Sequence, residues 1–110
     1  MLVLFDQGTP VPIRKFLKGH IVETAAQRGW DTLKNGELLR KAEEAGFNVL
    51  LTPDKNIRYQ QNLAIRTTAI VVLGNPQRPV LRMHVDRVVA AVNAATPGSY
   101  FEVSIPEERI

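Results

Sequence analysis

The 110-residue chain contains no cysteine, which removes disulfides, thiolate nucleophiles and cysteine-based zinc sites together. Aromatic residues make up only 6% of it, with a single tryptophan, Trp30, that reads as packing. No apolar run approaches the roughly 20 residues needed to span a bilayer. The first run, Leu2–Phe5, is interrupted by Asp6 and is too short for a signal peptide. These absences predict a cytoplasmic protein with no membrane partner. Neither GxxxxGKS/T nor GxGxxG occurs, so phosphate-loop nucleotide binding lacks its mechanical parts. His20 and His84 have no adjacent nucleophile and no metal-ligand spacing, and both read as surface or satisfied histidines. There is no repeat, low-complexity segment or linker, and residues 1–110 are expected to form one domain.

What remains is an ordinary globular composition, 45% hydrophobic and 23% charged. Lys plus Arg number 14 against 11 acidic residues, a net charge of +3. That balance permits a polyanionic partner without demanding one. Its distribution is more informative. Arg14, Lys15 and Lys18 follow soon after Asp6, while Lys55 and Arg58 flank Asp54. A solvated surface would have the same composition.

Strand and helix patterns alternate. Residues 2–5, a short run around Ile21-Val22, residues 48–52, 69–73 and 100–105 read as strands, with Ala69–Leu73 the strongest signal and expected at the centre of the sheet. Ile13 to Leu17 suggests a short helix. Asn35 is a suitable N-cap for a helix carrying Leu38, Leu39, Ala42 and Ala45 on one face and ending at Gly46. Pro79 suits the first turn of another helix, whose Leu81, Val85, Val88, Val89 and Val92 share a face. This alternation predicts an α/β fold, a three-layer α/β/α sandwich around a mainly parallel sheet joined by right-handed crossovers.

Two carboxylates stand out. Asp6 directly follows Leu2–Phe5, and Asp54 follows Val49–Leu51 through Thr52 and Pro53. Strands buried on both faces read as short Val- and Leu-rich runs, and a parallel sheet places its ligand site beyond their carboxyl ends. Two aspartates delivered there would repel, and a hard cation with oxygen ligands offsets such repulsion. The competing reading makes each a turn or capping residue. Glu37, in the first turn of the Asn35 helix, is a third candidate, although a helix dipole alone favours Glu there. Asn56 is either a neutral oxygen ligand or a cap. Gln7 and Thr9 are placed to orient water or phosphate. Arg58 could hold a phosphate and Tyr59 could stack on a base, unless both belong to an exposed helix face.

These residues resemble a known family. Leu4-Phe5-Asp6-Gln7-Gly8-Thr9-Pro10 is similar to the opening of small single-domain PIN-like proteins, predicted nucleases associated with toxin–antitoxin systems. Asn35-Gly36-Glu37-Leu38-Leu39 resembles their acidic helix start. Leu51-Thr52-Pro53-Asp54-Lys55-Asn56 resembles their strand-end T-x-D-x-D motif. The resemblance runs from Met1 to about Leu73. It implies a PIN-like fold and a catalytic, metal-binding set of Asp6, Glu37 and Asp54 that holds Mg²⁺ or Mn²⁺ for phosphodiester hydrolysis, with Asn56 in the metal shell and Gln7 and Thr9 in support. RNA is then the expected substrate, with Arg14, Lys55, Arg58 and Tyr59 contacting it. An antitoxin protein and a second copy of the chain are the expected protein partners. Two positions depart from the family pattern: Gln7 stands where a Glu is usual, and Asn56 where a second Asp is common. Each change removes a negative charge from the pocket. The alternative is therefore a non-catalytic interaction module with a depleted acidic pocket. A receiver-like phospho-acceptor would also want an Asp at a strand end, but it needs a Lys after a later strand, where Gly74-Asn75-Pro76 stands instead.

Overall fold

Three short runs of Val, Leu, Ile, Ala and Phe form the centre of the molecule because they have no polar side to turn outward. In the computed structural model, which describes residues 1–55, 57, 67–74 and 83–104, these runs are β1 (Leu2–Phe5), β3 (Val49–Thr52) and β4 (Ala69–Leu73). From Val3 onward their side chains are at most 1% exposed. The more polar β2 (Ile21–Thr24) and β5 (Tyr100–Val103) close the two edges. All pairings are parallel, in the order β2-β1-β3-β4-β5. The middle strand is thus β3. Ala69–Leu73, expected at the centre, is interior but one place off it, because strand order depends on which strands the connections bring together and not on hydrophobicity.

Strand alternation sorts the core into two layers. Val3, Phe5, Val49, Leu51, Val71 and Leu73 face one side, where Ile13 and Leu17 from the 3₁₀ helix Val11–Phe16 and its end pack beside Val88 and Val92 of α2 (Val85–Ala94). Leu4, Leu50, Ile70 and Val72 face the other, covered by Leu38, Leu39 and Ala42 of α1 (Asn35–Glu44). The result is a five-stranded, all-parallel sheet with helices on both faces. Among the described residues no helix is long and apolar enough to cross a membrane.

Local chemistry explains the ends of α1. Gly46, at φ +84°, follows the helix in the left-handed region, and its N–H donates to the Glu43 carbonyl while Phe47 N–H donates to that of Ala42. This Schellman arrangement also brings Phe47 into the Ala42 cluster. At the other end the N-cap position belongs to Lys34, with Asn35 the first helical residue, so the helix begins one place earlier than an Asn35 cap would give. The Leu81 end of the second apolar stripe and residues 105–110 lie outside the described residues. Within α2, Val88 and Val92 are buried, with Val85 and Val89 packed against them.

Candidate functional site

The chain leaves β1 and β3 toward opposite faces. After Asp6 it enters the 3₁₀ helix over the Val3–Phe5 side, whereas Ile57, just beyond Asp54, is buried with Leu4 and Leu50 on the α1 side. Adjacent parallel strands whose continuations diverge open a crevice between their carboxyl ends, where ligands of doubly wound sheets bind. Asp6 and Asp54 stand on its two sides.

The loops bearing them are tied together at several points. The Asp6 N–H donates to the Leu51 carbonyl at 3.0 Å, and the Thr9 hydroxyl donates to the same carbonyl at 2.9 Å. Thr9 N–H closes the turn on the Asp6 carbonyl at 3.1 Å. Gly8 sits at φ +84°, and a Cβ there would lie 3.1 Å from Pro53 Cγ, so glycine satisfies both the backbone and the close approach. The Asp6 carboxylate accepts twice: Oδ1 from Gln7 N–H at 2.7 Å and Oδ2 from the Thr52 hydroxyl at 2.8 Å. Thr52 Oγ1 in turn accepts from Asp54 N–H at 3.1 Å.

Burial pushes the Asp6 carboxyl above its ordinary range. The Thr52 and Gln7 hydrogen bonds oppose that shift, and the negative charge of Asp54 adds to it. The two aspartates therefore interact electrostatically. Beside Asp6, between the ends of β1 and β2, lies a recess of about 120 Å³ walled by Val11, Thr24, Ala25 and Ala26. A larger groove of about 570 Å³ between α2 and β5, lined mainly by Ala90, Ala91, Ala94, Phe101 and Val103, has no carboxylate in its lining among the described residues.

The remaining predicted residues fall as follows. Glu37 is exposed in the first turn of α1, which runs back toward the start of β3 and so begins on the edge where β1 and β3 end. Among the described residues, however, no three His, Asp or Glu side chains stand close enough to hold a metal ion, so the structure does not gather Glu37 with Asp6 and Asp54. Gln7 is exposed and contributes its backbone N–H to Asp6. Thr9 is 6% exposed with its hydroxyl hydrogen committed to Leu51, so it shapes the loop. Arg14 donates through Nη2 to the Val22 carbonyl at 3.0 Å, capping the outer edge of β2. Lys55 is exposed beside Asp54. Asn56, Arg58 and Tyr59 lie outside the described residues.

Elsewhere the quieter readings hold. Trp30 packs edge-to-face on Phe47, with centroids 6.1 Å apart and Arg28 over both rings. His20 links the amino group of Met1, at 3.1 Å from Nδ1, to Asn93 Oδ1, at 2.6 Å from Nε2. The sequence reading placed Thr52 in the T-x-D-x-D resemblance but gave it no role of its own. A polar residue ending an otherwise apolar strand, two positions before a carboxylate, was the available signal.

No family model matches this chain, and neither the curated proteins nor the solved structures contain a match.

Proposed function

We propose that the protein is a metal-dependent ribonuclease with a PIN-like fold, hydrolysing phosphodiester bonds at the crevice between β1 and β3, in the manner of a toxin of a toxin–antitoxin pair. The observation that supports this reading is that Thr52 links the Asp6 carboxylate to the backbone N–H of Asp54, whose negative charge is near enough to raise the Asp6 pKa.

The donor set suits a hard cation. Mg²⁺ retains several waters and is commonly held by one or two carboxylates together with substrate phosphate, so two aspartates suffice where a closed protein cage would need more. Asp6 is held by a hydrogen bond to each oxygen, which fixes its plane and leaves further lone pairs on both. Asp54 brings the second charge, and Asn56 and Glu37 are the next oxygen donors in sequence and along the same edge. When bound, Mg²⁺ or Mn²⁺ polarises a phosphate oxygen and lowers the pKa of an attacking water. Lys55, and beyond it Arg58 and Arg14, would hold the polyanionic backbone, with Tyr59 stacking on a base. The recess of about 120 Å³ beside Asp6 would take a small part of the substrate.

The reading is checked by cleavage of varied RNA substrates with and without Mn²⁺. Cleavage that requires metal and vanishes in Asp54→Asn, with the circular dichroism spectrum unchanged, is the expected result. Asn removes the charge with little change in shape.

A second reading, a non-catalytic interaction module, is favoured by one observation: no third carboxylate joins the pair among the described residues. An absence of cleavage on RNA and DNA, together with no measurable Mn²⁺ binding, selects it.

A further inference from the structure

We infer that β5 is the seam of a two-fold dimer, in which its outer edge pairs antiparallel with β5 of a second copy and Phe101 packs on its own counterpart. The inference is independent of the metal-site reading. It starts from a difference between the two edges of the sheet. On β2, the Ile21 and Ala25 N–H groups donate to Met1 and Phe5, so Val22 and Thr24 turn their backbone groups outward. Three of those four groups are taken within the chain. Arg14 Nη2 holds the Val22 carbonyl at 3.0 Å, Gln27 Oε1 accepts from Thr24 N–H at 2.9 Å, and Arg28 N–H donates to the Thr24 carbonyl at 3.3 Å. An edge closed in this way resists further pairing. On β5, the Ser99 and Val103 carbonyls accept from Ile70 and Gly74, so Glu102 turns its N–H and carbonyl outward. Among the described residues neither group has a partner.

The open edge carries the parts of a self-complementary interface. Phe101 and Val103 point to the α2 side, but α2 covers only Val103: it is 1% exposed, and Phe101 is 55% exposed. Between that ring and the small, exposed side chains of Ala90 and Ala94 runs the groove of about 570 Å³. Each copy therefore has both the knob and part of the hole, as a two-fold interface requires. Charge selects the register. Glu102 opposite Glu102 would set like charges face to face, which destabilises a sheet. A shift toward the carboxyl end would need the Ser104 carbonyl, which Arg87 Nη1 already holds at 2.8 Å. The register that avoids both sets Phe101 opposite Phe101, in a non-hydrogen-bonded pair where side chains are closest. Glu102 then faces Tyr100 of the second copy, whose hydroxyl suits it: within one chain Tyr100 already donates to the Glu102 carboxylate at 2.9 Å. Area favours the same occupant. A stable interface removes roughly 800 Å² from each partner, and a four-residue strand falls short of that. Ring and groove make up area on both copies at once.

The test is sedimentation velocity of the full chain, wild type against Phe101→Glu, with circular dichroism to show that both are folded. The expected result is a wild-type mass twice that of one chain, halved in Phe101→Glu. That substitution sets like charges against each other on the seam and alters no buried position. Because the chain has no cysteine, single cysteines read out the register. Non-hydrogen-bonded partners stand about 4.5 Å apart at Cα, within disulfide reach. Mild oxidation should link Phe101→Cys into a covalent dimer and leave Glu102→Cys, which is out of register with its counterpart, unlinked. A wild type that is monomeric at every concentration overturns the inference and leaves the edge to a strand of another protein. A dimer that survives Phe101→Glu, or linkage of Glu102→Cys in preference to Phe101→Cys, overturns it as well. None of these results bears on the Asp6 crevice.

Discussion

Asp6 carries a cost that most carboxylates avoid. It is more than half removed from water, faces the like charge of Asp54, and relies on Thr52 and Gln7 to remain acceptably ionised. Burial, the largest effect, raises its pKa from the ordinary value of 3.8. The sign of the linkage follows. A folded-state pKa above the unfolded one means that the native state binds the proton more tightly. The corresponding stability is present at low pH and is lost as pH rises through the folded value. At neutral pH the ionised Asp6 therefore lowers stability. Asp6→Asn, in the absence of metal, should melt at a higher temperature than wild type near pH 7, and the difference should shrink as pH falls below about 4. Paired thermal melts across that range check this, and a variant less stable at neutral pH would show that the carboxylate is better solvated than its burial indicates.

At the scale of elements, the support for the crevice comes from α1. Leu39 is fully buried against the Leu4 and Leu50 face of the sheet, and those two strands end at Phe5, directly before Asp6, and at Thr52. Leu39→Ala should cost about 2–5 kcal/mol in urea unfolding, with the spread set by how far the cavity collapses. A loss well under 1 kcal/mol would mean that α1 is loosely docked. Much of this level was legible in the sequence. Fully buried strands show as unbroken apolar runs, the α1 stripe keeps helical spacing, and Gly46 marks the helix end. Strand order was not legible, since no local pattern says which strand lies beside which. The position of α2 was not legible either. The β2-to-β3 and β4-to-β5 connections step the same way across the sheet, yet α1 and α2 lie on opposite faces. The right-handed rule alone would have put both helices on one face. On that face Val88 and Val92 of α2 pack in one cluster with Ile13 and Leu17 of the six-residue 3₁₀ helix and its end.

For the molecule as a whole, the strand order decides where chemistry can occur. The β1–β3 junction is the place where the chain's continuations part, and both strand-end aspartates meet there. That these aspartates end strands was readable from the runs preceding them. Their being bridged by a buried hydroxyl was not, because a bridge between Thr52 and Asp6 joins positions far apart in sequence. Of the cations expected near this edge, Arg14 is engaged by the β2 edge, and Lys55 is exposed beside Asp54. The central claim is that Asp6 and Asp54 together hold a divalent cation. It is tested most directly by titrating Mn²⁺ into the ¹⁵N-labelled protein and mapping paramagnetic broadening. The account predicts that broadening begins at the amides of Asp6, Gln7, Gly8, Asp54 and Lys55 and is lost in Asp54→Asn. Broadening centred elsewhere on the surface, or the same pattern persisting in Asp54→Asn, would contradict it.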